Sequence, residues 1–235
     1  MRHLTTTPWA LGMLAAITLA APASAEIVSV TGTLSALATV TDPPDDQPDE
    51  ATASINLGFD NPGPRQLTLS SPAGSEDEET NILQTFTASP EGFTATGISD
   101  SADNRSSFGT AGRMTVAIAF AVDEEALYEL NFTKNNDPGE VVTLTFLGSD
   151  DPTPLLAFDT QGAGGSVTQL RQYLLGPGVT YTVNALFTST AGGDGSAQST
   201  TTYLIDLSLV PEPAMGSLLA VGVVLVGRRR RVCDR

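Results

Sequence analysis

The chain reads as an all-β protein, a single sandwich of two packed sheets, on three observations. Apolar residues recur at every second position through much of the sequence, turn signals separate these runs, and no window of comparable length carries a convincing 3.6-residue period. Alternation of period two puts one set of side chains on each face of a strand, so each run has one face for the interior and one for solvent. About ten such strands bury their apolar faces by stacking as two sheets.

The first run places Val28, Val30, Gly32, Leu34, Ala36, Ala38 and Val40 on one face, with mostly Ser and Thr between them. Next come Ile55, Leu57 and Phe59, then Met114, Val116, Ile118, Phe120 and Val122, then Tyr128, Leu130 and Phe132, then Val142, Leu144 and Phe146. Two late runs are Val179, Tyr181, Val183, Ala185 and Phe187, and Tyr203, Ile205, Leu207 and Leu209; further strands are expected near Leu67, Ile82, Phe93 and Leu156. Turn-forming clusters such as Asn61-Pro62-Gly63-Pro64, Asn136-Asp137-Pro138-Gly139 and Gly176-Pro177-Gly178 punctuate the runs. Residues 42–50, 75–79 and 191–196 read as loops, the first two because they gather like charge, with no apolar side chain in the second and none but prolines in the first.

The two ends read differently from the body. Met1-Arg2-His3, the apolar run from Ala10 to Ala20 and the small-residue site Ala23-Ser24-Ala25 are the three parts of a secretory signal, with cleavage expected before Glu26. At the other end Pro211-Glu212-Pro213 leads into the uncharged stretch from Ala214 to Gly227 and then Arg228-Arg229-Arg230-Arg231. As a helix that stretch would extend about 21 Å against a hydrocarbon core of about 30 Å. Arginines reaching to the headgroups, with local thinning, would close the difference and hold the basic block on the cytoplasmic side. The expected organisation is therefore a signal peptide at 1–25, a β-sandwich domain at 26–210 and a sorting tail with a short transmembrane helix at 211–235.

Setting the two ends aside changes the chemistry available. His3, Trp9 and Cys233 all lie outside 26–210, so the body has no histidine, tryptophan or cysteine. A Ser-His-Asp triad, a Cys-His pair, the usual zinc sites and disulfide staples are all excluded, and a body of this size buries enough core to dispense with cross-links. Of 11 basic residues, Arg2 and five tail arginines fall outside the body, and of 27 acidic residues, Glu212 and Asp234 do; five basic and 25 acidic residues remain, a net charge of −20. Such a surface repels nucleic acid and anionic lipid.

No catalytic residue is assigned, and the body is expected to be non-enzymatic. A glycoside hydrolase needs only two carboxylates at a fixed separation, but among 25 acidic residues no pair stands out. Calcium is the cation that flexible acidic loops would take; the candidate ligands are Asp42, Asp45, Asp46, Asp49 and Glu50, with Asp150 and Asp151 in another turn, although no EF-hand spacing occurs. Sugar binding by aromatic stacking would fall to Tyr128, Tyr173, Tyr181 and Tyr203, three of which are in phase with apolar strand neighbours and therefore read as core.

The ordered tail of Pro211-Glu212-Pro213, apolar stretch and Arg228 to Arg231 resembles the PEP-CTERM sorting signal of exported bacterial proteins, which a membrane-embedded exosortase recognises. The resemblance covers the tail alone, and Val232-Cys233-Asp234-Arg235 continue past its usual end. It implies export, transient anchoring in the inner membrane, and transfer to the cell surface or the extracellular matrix. The partners it implies are the secretion machinery, an exosortase-like enzyme and extracellular polysaccharide. Leu174 to Val183, followed by a Gly-rich segment and a final strand, resembles the closing strands of jelly-roll modules and implies a jelly-roll-like sandwich.

Overall fold

The computed structural model describes residues 25–41, 48–58, 65–72, 78–103, 109–192 and 197–211. The strands in chain order are β1 (Ile27–Thr41), β2 (Pro48–Gly58), β3 (Arg65–Pro72), β4 (Glu78–Ser89), β5 (Gly92–Asp103) and β6 (Gly109–Val122), then β7 (Ala126–Asn136), β8 (Val142–Gly148), β9 (Asp151–Asp159), β10 (Gly165–Leu175), β11 (Tyr181–Gly192) and β12 (Ala197–Leu209). They form two antiparallel six-stranded sheets, ordered β2-β1-β6-β11-β8-β9 and β10-β7-β12-β5-β4-β3. The all-β sandwich is as the alternation predicts.

The alternating residues supply the interior. Leu34, Ala38, Met114, Val116, Ile118, Phe120, Leu144, Phe146, Val183 and Phe187 of the first sheet meet Ile82, Phe93, Ala95, Leu130, Phe132, Ile205 and Leu207 of the second in one buried cluster. Aromatic rings bridge the sheets: Phe187 stacks on Tyr203 at a centroid separation of 4.1 Å, and Phe93 meets Phe120 edge-on at 5.4 Å. Tyr128, Tyr181 and Tyr203 are buried, in keeping with their phase.

Four details depart from the sequence reading. Val28 is 53% exposed while Ile27 is buried, because the β1–β6 register shifts between Ile27 and Ser29 and turns the start of β1 over by one residue. β10 was not anticipated: as an edge strand it carries Gln169 and Arg171 in phase with its inward Tyr173 and Leu175, and Leu170 and Leu174 on the outside, so its pattern is inverted. Strand pairing also reaches into the expected loops, since β2 starts at Pro48, β4 at Glu78, and β11 runs to Gly192. Finally, Lys134, the one lysine of the chain, is buried.

The registers fix two ends. Tyr181 pairs with Phe120 and Gly148, Leu175 with Ala126, and Ser208 with both Gly92 and Glu129, so the starts of β1, β5, β7, β9, β11 and the end of β12 share one end. Glu26 and Val210 both leave the fold there: Ile27 N donates to Pro90 O at 2.6 Å, and Leu209 N to Glu91 O at 2.8 Å, two adjacent residues of one turn. The far end holds Asn136, Glu140, Thr160 and Gly192.

Candidate functional site

At the far end the strands keep their alternation but change the residue type that faces inward. Along β12, Tyr203, Ile205 and Leu207 give way to Ser199 and Thr201; along β7, Leu130 and Phe132 give way to Lys134 and Asn136. Thr80, Ser99, Ser101, Thr110 and Ser189 complete a buried polar core. Ser99 Oγ and Ser189 Oγ lie 2.6 Å apart, and a Cβ on Gly112 would fall 2.0 Å from the former, so the glycine makes room for the hydroxyls.

Glu140 is the hub. It is buried, and its carboxyl oxygens accept from the hydroxyls of Ser199 and Thr201 and from Asp137 N at 2.9 Å. Burial pushes its carboxyl above the usual range, against the lowering effect of the Thr201 hydroxyl and the Asp137 amide. Lys134 Nζ donates to Asn136 Oδ1 and, at 3.4 Å, to Ala163 O; burial lowers its pKa while the Glu140 charge opposes that. Asn136 Nδ2 in turn donates to the carbonyls of Asp137, at 3.0 Å, and of Glu140, at 3.3 Å. The Ser199 and Thr201 bonds tie the β7–β8 turn to β12, the Lys134–Ala163 bond ties the end of β7 to the β9–β10 turn, and the Asn136 and Asp137 bonds close the β7–β8 turn on itself. With its carboxyl closed off from solvent, Glu140 is placed to hold strands together. The available sequence signal was the inward phase of Lys134 behind Tyr128, Leu130 and Phe132, which only the fold turns into a polar core.

The outer face of the first sheet is a different kind of surface. Cross-strand registers set Ser54, Ser35 and Thr115 in one row, and Thr52, Leu37, Arg113 and Thr188 in the next. Ser35 and Thr115 are joined through their hydroxyls. An open groove of about 530 Å³ lies over Ser35, Leu37, Thr52, Ser54 and Thr115, with Arg113 exposed at its side. Beside the groove on the same face, Ala117 and Ala119 of the central strand β6 lie between Thr31 and Thr33 of β1 and Thr182 and Asn184 of β11. The face is thus hydroxyl-rich and carries Arg113 together with the acidic Glu50 and Asp159 on flanking strands, while the outer face of the other sheet carries Asp100, Glu129 and Asp206.

The residues singled out from sequence fall as follows. Ala25 is buried and Glu26 exposed just before β1, while Ala23 lies outside the described residues. Pro211 is exposed just past β12; Glu212, Pro213 and Arg228, Arg229, Arg230 and Arg231 lie outside the described residues, as does the rest of the tail. No helix among the described residues is long and apolar enough to cross a membrane. Of the calcium candidates, Asp42, Asp45 and Asp46 lie outside the described residues, and Asp49 and Glu50 sit in β2 opposite Val40 and Thr39. Asp150 and Asp151 lie at the β8–β9 turn, where Asp151 Oδ1 accepts from Thr153 N at 2.8 Å, a bond that lowers its pKa. Among the described residues no group of three or more acidic side chains is arranged to hold a metal ion. No protein-family model matches the chain, and no curated protein matches it in sequence.

Proposed function

We propose that the chain is an exported, non-enzymatic surface or extracellular-matrix protein, sorted through a PEP-CTERM tail. One observation carries this reading: Pro211-Glu212-Pro213, an apolar stretch and four arginines follow one another without a gap. A signal peptide at the other end, with its Ala23-Ser24-Ala25 site, agrees with it. The route would be insertion, brief anchoring by a short membrane helix, and release or transfer by an exosortase-like enzyme. Because Glu26 and Val210 leave the sandwich at one end, a tail-anchored form would present the polar far end away from the membrane. The crossings of successive strands between sheets, as from β6 to β7 and on to β8, are in keeping with the jelly-roll-like resemblance.

The test is the intact mass of the protein from its native host, in membrane and extracellular fractions, beside a variant with Arg228, Arg229, Arg230 and Arg231 all changed to Ala. The expected form starts at Glu26 and ends near Pro213, and it is lost in the variant. A full-length tail kept in the membrane fraction would sink the sorting claim.

A second reading, a carbohydrate-binding module, draws on the hydroxyl-lined groove of the first sheet. The groove's hydroxyls and the Arg113 fork are donors and acceptors for sugar hydroxyls, and Asn184 with the small Ala117 and Ala119 extends the face beside it. Affinity electrophoresis through gels holding a neutral glucan or a polyuronate tests it. Retardation that Arg113→Ala abolishes would favour this reading, and equal mobility in every gel would dismiss it. The calcium-dependent version would show retardation only with calcium present.

A further inference from the structure

Glu26 is held at its own main-chain atoms. Its N–H donates to Asp123 Oδ1 at 2.7 Å, and its carbonyl accepts from Asp123 N at 3.1 Å. The next residue is fixed as well, through Ile27 N to Pro90 O at 2.6 Å and through the buried Ile27 side chain. A carboxylate is therefore aimed at the one nitrogen that cleavage before Glu26 would convert from a peptide amide into an α-ammonium.

We propose that Asp123 is the receiving site for the new N-terminus, so that the α-ammonium left by signal cleavage docks on its carboxylate as an ion pair that seals this end of the sandwich. This rests on the signal-peptide reading given above. The chemistry balances simply: hydrolysis of the Ala25–Glu26 bond adds one water, leaves a carboxylate on Ala25, and yields an amine on Glu26 that takes up a proton near neutral pH. An α-ammonium brings a full charge to a carboxylate that a peptide amide in the same place would meet only with a dipole, so the bond is charged on both sides. Little side-chain entropy opposes it, since the ammonium sits on a main chain already pinned by two other bonds.

The surroundings favour the cation. Every charged side chain on the elements around this nitrogen is acidic: the Glu26 carboxyl itself, Asp123, Glu124 and Glu125 of the β6–β7 turn, and Glu91 of the β4–β5 turn. The basic residues described with their side chains, Arg113, Lys134 and Arg171, lie higher on their strands. Tyr128 is at the same corner, buried, with a hydroxyl that has no partner among the described residues. Burial, and then the nearby Asp123 and Glu26 charges, push it up to about 12, so it stays neutral and is an unused acceptor. The arrangement also orders the events. With Ala25 6% exposed and Glu26 pinned, the scissile bond is not open to a protease in the folded chain, so cleavage precedes docking.

The experiment is an NMR titration of the α-amine, labelled by reductive methylation, on the form secreted by the native host, with intact mass to fix its first residue. An α-amine usually titrates near 7.7–8.0. We expect a wild-type value higher by about half a unit to one unit, a return to the usual range in Asp123→Asn, and a smaller change in Glu124→Gln, which alters the local field without touching the contact. Asp123→Asn should also raise the unfolding equilibrium constant about threefold to tenfold at pH 7, and less at pH 10, where the amine is neutral. A secreted form starting elsewhere than Glu26 would overturn both this proposal and the signal reading. A Glu26 start with the same α-amine pKa in wild type and Asp123→Asn would overturn the ion pair alone.

Discussion

Two residues show how little freedom the interior leaves. Gly32 lies in β1 at a φ of +149°, and a Cβ there would fall 2.0 Å from Ala117 O on the paired strand. Gly32→Ala meets main chain rather than a flexible tip, so it should destabilise the fold by about 2 kcal/mol or more, read as a lower urea midpoint at unchanged slope. Glu140 provides the second case. Its folded pKa is raised by burial, so the folded state holds the proton more tightly than the unfolded chain does. That contribution is fully present below an unfolded value of about 4.3 and is lost as pH rises through the folded value. Stability of wild type minus that of Glu140→Gln should therefore fall as pH rises from 4 to 8 in urea titrations, whereas a flat difference would mean that the carboxyl is not held in a closed site. Neither role is written in the residues themselves. A glycine in an alternating run and a glutamate after a turn are ordinary sequence; only the approach of Ala117 to one and of Ser199 and Thr201 to the other gives them weight.

Strands were legible where they are central and flanked on both sides, and less so at edges and ends. β6, β7, β8, β11 and β12 each bury one face under the other sheet, so selection for apolar residues at every second position is written plainly along them. β10 pairs only with β7 and keeps Leu170 and Leu174 outside at 56% and 64% exposure, which removes the signal that would have announced it. The start of β1 fails for another reason. A bulge adds one residue, and the face of Ile27 and Val28 swaps without any change in composition. A paired substitution tests this directly. Ile27→Ala should cost about 2–4 kcal/mol, as large-to-small changes in a closed core do, whereas Val28→Thr should stay within about 0.5 kcal/mol, both read from chemical denaturation. Simple alternation would require the reverse. The polar far end was hidden for a related reason, because Ser and Thr are common on the solvent face of any strand. Their burial along β5, β11 and β12 follows from sheet stacking, which local pattern does not record.

At the scale of the molecule, charge is the term that composition states and the fold must carry. Residues 26–210 hold 25 acidic and five basic side chains, and among the described residues the buried acidic and basic side chains are Glu140 and Lys134, of opposite sign. The other acidic residues described with their side chains are not buried, and like charges on a compact body repel one another more than on an expanded chain. Salt relieves this by screening: the Debye length falls from about 30 Å at 0.01 M to about 8 Å at 0.15 M and then changes slowly. The Tm of the body at 26–210 should therefore rise by several degrees between 0.01 and about 0.3 M NaCl and flatten above that, with a gain of about 2–4 °C for each kcal/mol in a domain of this size. Salt that instead strengthened apolar burial would raise Tm steadily into the molar range, without the early plateau. Calorimetry across that series separates the two, and a Tm insensitive to salt below 0.3 M would mean that the acidic side chains are compensated, by bound cations for example, in a way the sandwich alone does not provide.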